Sequence, residues 1–271
     1  MCDARLGEYN FSATGSWRST MRSTADVVRG SCRNEYVSKI FSTPGLDLSY
    51  ILPDWMHTVD LGILLYTCGC CLWDLVERMG GTFNRPQPAI AQIMNLIRIK
   101  SRELGQDPPF HSLTVTMIRS VASKPPRLRV KAGEARHFLP VLLAMLRDYF
   151  PAESAYEQCR FHCLAALNRC FAELANWQDG PGGSARRLEL AALQHLQLYQ
   201  RLHELRADPL MWRLYPKHHL FQHCSTNAWT NPVLLWNYSD EDCIGEAVRI
   251  ARGCNVAHLH TAVIRRYRLL I

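Results

Sequence analysis

From about residue 85 to residue 210, apolar side chains return every three or four positions, and prolines and glycines punctuate the runs. Only helices bury such a pattern on one face, so most of the chain is committed to helix before any motif is considered. Pro86 to Leu104 starts with prolines suited to a first turn and stops at Gly105. Leu113 to Val121 supports a short helix. Gly133 to Tyr149 carries Phe138, Val141, Leu142, Met145 and Tyr149 at helical spacing, and Ser154 to Trp177 and Ala185 to Arg206 repeat the pattern. Gly180-Pro181-Gly182-Gly183 is the clearest loop. Upstream, Leu61 to Met79 predicts another helix, ended by Gly80-Gly81.

The two ends read differently. Residues 1–45 are poor in aliphatics and rich in Ser, Thr and Arg, which predicts an irregular arm with one short helix near Thr24 to Gly30. Leu46, Leu48, Tyr50 and Leu52 alternate as in a strand, which would deliver Asp54 at its end. Lys217 to Cys224 and Val233 to Tyr238 are further candidate strands. Ser239 opens a helix to about Arg252, and Asn255 to Leu269 suggests a last basic helix. The class expected is mostly α with a small β-sheet, its strands lying in the flanks of a helical middle.

The net charge of +7 and an isoelectric point near 8.9 favour an acidic partner, nucleic acid first. Eleven cysteines, an odd number, fall mostly in apolar helix-like segments, and Met1 to Gly15 is polar without a signal-type apolar run. Reduced thiols and an intracellular compartment fit better than a disulfide framework. Leu61 to Leu75 is apolar but short and flanked by Asp60, Asp74 and Glu77, so no membrane span is expected.

Two motif regions stand far apart. The first reads Pro53-Asp54-Trp55-Met56-His57-Thr58-Val59-Asp60-Leu61-Gly62. The second reads Tyr215 to His223 and then Trp236-Asn237-Tyr238-Ser239-Asp240-Glu241-Asp242-Cys243-Ile244-Gly245. Asp54 can be a metal-binding acid with His57 beside it, or the cap of the next helix. Glu241 can be a metal ligand carried on a helix, or part of an acidic first turn opened by Ser239. His218, His219 and His223 beside Cys224 offer the H-x₃-H spacing of a zinc site, but no C-x₂-C pair accompanies them. Arg119, Lys124, Arg127, Arg129, Lys131 and Arg136 form a basic stretch that suits phosphates or a solvated loop equally. No nucleophile elbow, P-loop or dinucleotide fingerprint occurs.

Taken in order, these blocks resemble the second half of a eukaryotic DDE-type transposase of the CACTA, Kyakuja–Dileera–Zisupton or Plavaka type. They also resemble mobile-element-derived proteins of dinoflagellates. The matching residues are Asp54-Trp55-Met56-His57 with Leu61-Gly62, then Lys131-Ala132-Gly133-Glu134-Ala135-Arg136. After them come Pro216, Lys217, His219, Leu220 and His223, and finally Trp236, Tyr238, Glu241, Ile244 and Gly245.

The resemblance implies an RNase H-like α/β core, here incomplete, formed by residues 46–84 and 211–271 and interrupted by a helical insertion over 85–210. It implies metal-dependent DNA strand cleavage or transfer, with Asp54, Glu241 and His57 in the catalytic pocket and Asp54 and Glu241 holding Mg²⁺ or Mn²⁺. DNA would lie on Arg127, Arg129, Lys131 and Lys217, and the location would be nuclear. Only Asp3, Asp26 and Asp47 precede Asp54, and none suits the first acid of the set. The reading is therefore of a truncated or degenerate member, inactive by itself. The alternative is a non-catalytic helical module that binds nucleic acid or protein.

Overall fold

The computed structural model describes residues 53–226, 228 and 230–253, with positions 11, 261, 264 and 265. The arm over 1–45 (position 11 aside) and the candidate strand at Leu46 to Leu52 lie outside the described residues. Of the last basic helix, only positions 261, 264 and 265 are described, and these are helical.

Helix α1, Met56–Arg78, is the centre of the molecule. Its first part, Met56–Ile63, is wound as a π-helix, and Leu64–Arg78 continues as α-helix. Val59, Ile63, Leu64, Cys68, Cys71, Leu72, Leu75 and Val76 are all fully buried, so this helix is covered on nearly every side. Its length and composition would also suit a membrane span, yet 89% of that stretch is buried within the protein itself. The other helices are α2 (Gln87–Glu103), the single turn α3 (Val115–Ile118), α4 (Ala132–Tyr149), α5 (Ala155–Ala175), α6 (Ser184–Leu205), α7 (Pro216–Thr226) and α8 (Tyr238–Arg252).

The residues at the helix ends explain where each begins. Thr114 caps α3 through the Met117 amide. Ser154 and Glu157 form a reciprocal capping box at α5. The Gly180–Gly183 loop places Gly180 and Gly182 at φ 100° and 73°, conformations that L side chains rarely adopt, and turns the chain from α5 back into α6. Those two helices form the most extensive pair. Helix α7 lies on α6 and on the π-helical part of α1, while α4 packs against α1, α2 and α5. One contiguous apolar cluster runs through all of these elements.

A buried polar knot pins α1 to α5. The Tyr156 hydroxyl donates to Asp74 at 2.5 Å, and Arg160 and Arg206 approach the same carboxylate at 3.5 and 3.6 Å. The Trp212 indole donates to the Tyr156 hydroxyl at 2.7 Å.

The expected small sheet is not seen among the described residues. Among the described residues the only β pairing is the isolated bridge between Thr82 and Arg85, so an RNase H-like α/β core is not seen. Lys217 to Cys224, read as a strand, is helix α7. Its buried residues, His218, Phe221, Gln222, Cys224 and Ser225, follow three- and four-residue spacing, and Pro216 opens the first turn. Val233 to Tyr238, also read as a strand, begins instead with a 3₁₀ turn at Pro232–Leu235. The Asn231 side chain starts that turn by accepting from the Val233 amide at 3.1 Å.

Candidate functional site

Asp54 stands two residues ahead of Met56 and caps the first turn of α1, its carbonyl accepting from the Thr58 amide at 3.0 Å. Its Oδ2 accepts from the His57 amide at 2.8 Å, the N-cap geometry, and lies 2.6 Å from His57 Nδ1. Its Oδ1 accepts from the Asn237 amide at 3.0 Å, although Asn237 is 183 residues further along the chain. The same carboxylate therefore starts α1 and holds the residue that leads into α8. The two motif regions of the sequence do meet in space.

Six residues further on, Asp60 is fully buried within the π-helical segment. Arg136 from α4 forms an ion pair with it, and the Tyr238 hydroxyl donates to it at 2.6 Å. The Trp55 indole adds a weaker attraction from outside hydrogen-bond geometry. Burial raises the Asp60 pKa above the ordinary carboxylate range, and the Arg136 charge pulls it back down. The guanidinium in turn lies over the rings of Trp236 at 4.5 Å and of Phe171 and Tyr238 at 5.5 Å.

The same segment collects the cations. Lys217 Nζ donates to the His57 carbonyl at 2.6 Å, and its stem runs over Gly62. A Cβ on Gly62 would meet Lys217 Cδ at 2.6 Å, which gives the Leu61-Gly62 dipeptide a packing reason. Arg127 donates to the Leu61 carbonyl at 3.0 Å. Burial lowers the Lys217 pKa and the neighbouring Arg127 charge adds to the shift. Beyond them an open groove of about 630 Å³ is lined by Leu61, Leu65, Arg127, Arg129, Lys131 and Glu134. Arg129 is exposed and held by the Ser120 hydroxyl at 2.7 Å, and Lys131 is exposed. Glu134 is tied to the start of its own helix through the Lys131 amide at 2.7 Å.

The sequence-predicted residues thus fall into three groups. Asp54 and His57 touch. Arg127, Arg129 and Lys131 line the groove beside them, and Lys217 sits on the π-helical segment near Arg127. Glu241 belongs to the first turn of α8, whose preceding residue Asn237 is bonded to Asp54, but its side chain lies outside the described residues. Asp60, Arg136 and Tyr238 were not selected as site residues. Asp60 reads in sequence as the flank of a helix starting at Leu61, whereas the helix begins earlier and carries it inside. A charge within an apolar run is the signal that could have found it, since such a group needs a partner.

The described donors do not fit Mg²⁺ or Mn²⁺. These hard cations need several oxygen ligands, and a carboxylate has about four acceptor positions. Asp54 already uses three, and its neighbours are an imidazole and an ammonium. Among the described residues no group of three or more His, Cys, Asp and Glu side chains could hold a metal ion. No protein-family model, curated protein or solved structure matches this chain.

Proposed function

We propose that this chain is a transposase-derived helical module that binds the phosphodiester backbone of DNA and carries out no strand chemistry on its own. The observation that supports the reading is the groove. Arg127, Arg129 and Lys131 from one stretch line it, and Arg127 and Lys217, from distant parts of the chain, are both bonded to carbonyls of the π-helical segment of α1. The acid closest by sequence, Glu134, is occupied at a helix start. A shallow open groove rich in cations tracks a phosphate backbone without reading bases, so binding is sequence-nonspecific. The transposase part of the reading rests on the ordered blocks of the sequence, and an intracellular, nuclear location goes with it. The non-catalytic part rests on Asp54, whose carboxylate is engaged in capping α1 and fastening Asn237.

The test is the salt dependence of binding to a duplex of arbitrary sequence. Replacing Arg127, Arg129 and Lys131 by Ala should lower affinity and reduce the slope of log K against log salt by roughly 2 to 3. An unchanged slope would show that the stretch is a solvated loop. Strand cleavage or transfer with Mg²⁺ or Mn²⁺ that disappears in both Asp54→Ala and Glu241→Ala would overturn the non-catalytic part.

A further inference from the structure

The H-x₃-H pair on α7 is not used by the groove or by the Asp54 cap. His219 and His223 lie one helical turn apart with their Nε2 atoms 3.0 Å from each other and their ring planes at 88°. Both are half-buried, so neither side chain is free to sweep through solvent. We propose that this pair is a two-histidine chelate for a borderline transition-metal cation, Zn²⁺ or Co²⁺, with water completing the coordination.

The argument is one of bite. Imidazole nitrogens bind Zn²⁺ at about 2.0–2.1 Å, so two of them on one ion stand about 2.9 Å apart at a right angle and about 3.4 Å apart at the tetrahedral angle. The observed 3.0 Å lies inside that interval. At 3.0 Å one ring donates its Nε2 proton to the other. Chelation moves that proton to Nδ1 of the same ring, a tautomer change without net proton release. Two nearby side chains are engaged elsewhere. Cys224 donates to the Pro53 carbonyl at 3.4 Å, and His218 is fully buried against Tyr199 and Tyr215.

The chain contains 11 cysteines, so the test must separate nitrogen from sulfur ligation. The reduced protein is titrated with Co²⁺ and then with Zn²⁺ in competition. Visible ligand-field bands without thiolate-to-cobalt charge transfer are expected, with displacement by Zn²⁺. His219→Gln and His223→Gln should each weaken binding at least about tenfold, with the far-ultraviolet circular dichroism spectrum of the parent protein retained. Cys224→Ser should leave affinity within about twofold. If a glutamine variant loses its helical spectrum, the decision falls to the melting temperature of the parent protein. Zn²⁺ should raise it, because a ligand that binds only the folded state stabilises that state. No binding, a charge-transfer band, or affinity unchanged in both glutamine variants would overturn the proposal.

Discussion

Replacing Arg136 by Ala tests whether the buried carboxylate of Asp60 holds the site together. Asp60 is fully buried, and Arg136, with about a quarter of its side chain exposed, is its only cationic partner among the described residues. Breaking a buried pair from one side costs about 3–5 kcal/mol, because a charge is left without compensation. Two features reduce that figure here: Tyr238 still donates to Asp60, and the partly exposed Arg136 site admits water. Loss of the guanidinium from the rings of Trp236, Tyr238 and Phe171 adds back roughly 1 kcal/mol. The expected cost is about 2–4 kcal/mol at pH 8, read by urea denaturation with helix signal at 222 nm. Its pH dependence has a definite sign. An Asp whose folded pKa lies above its unfolded value binds more protons when folded, so its penalty shrinks as pH falls through the folded pKa. Without Arg136 that pKa rises further, so the gap between variant and parent should narrow from pH 8 to pH 5. Adding Asp60→Asn to Arg136→Ala should recover most of the loss. A variant within about 1 kcal/mol of the parent at pH 8, or a double variant no better than the single one, would refute the reasoning.

Asp54→Ala should cost about 1–3 kcal/mol by denaturation, from the lost cap of α1 and the lost tie to Asn237. A smaller effect would mean that the carboxylate is not structural. Gly69→Ala should destabilise by about 3 kcal/mol or prevent folding, since the new Cβ would lie 2.6 Å from the Arg127 Cα and the Leu128 amide nitrogen, both backbone atoms. Normal stability in that variant would require the 127–128 segment to run elsewhere. His195 is fully buried and its pKa is lowered to about 4 by burial, so it stays neutral while the unfolded chain takes a proton below about pH 6.5. Stability is fully present above pH 6.5 and falls as pH drops to about 4, by roughly 3 kcal/mol over those two and a half units. A His195→Gln variant whose stability fell as steeply over this range would contradict it.

The helices were legible because their buried faces are long. Over 17 to 22 residues, as in α2, α5 and α6, a period of 3.6 cannot be confused with one of 2. Lys217 to Cys224 was misread for the opposite reason. Eight residues hold barely two turns, so the buried set His218, Phe221, Gln222 and Cys224 repeats too few times to separate a period of 3.6 from one of 2. The start of α1 was placed too late because a charge at position 60 looks like a boundary, and only the arrival of Arg136 from another helix makes it tolerable inside. Arg127, Arg129 and Lys131 stand out in the sequence as a basic run, whereas Lys217 stands out only as part of a motif block. That Lys217 comes near Arg127 depends on α7 lying across the π-helical segment, a tertiary fact with no local signature.

The placement of charge gives the site its polarity. Asp54, Asp60 and Asp74 all turn inward, where amides, hydroxyls and guanidinium groups hold both oxygens of Asp54 and the Oδ2 atoms of Asp60 and Asp74. Internal pairs such as Asp60 with Arg136 and Asp74 with Arg160 neutralise themselves and add nothing to the outer field. Near the groove the one lining acid, Glu134, is held at a helix start. Carbonyls of the π-helical segment hold Lys217 and Arg127 by one hydrogen bond each, which fixes the side chains but does not remove their charge. A carbonyl dipole offsets an ammonium or guanidinium far less than a carboxylate does, so both remain available to a phosphate at the same edge. The acids that the sequence places beside these cations build the scaffold, and the cations face outward from it.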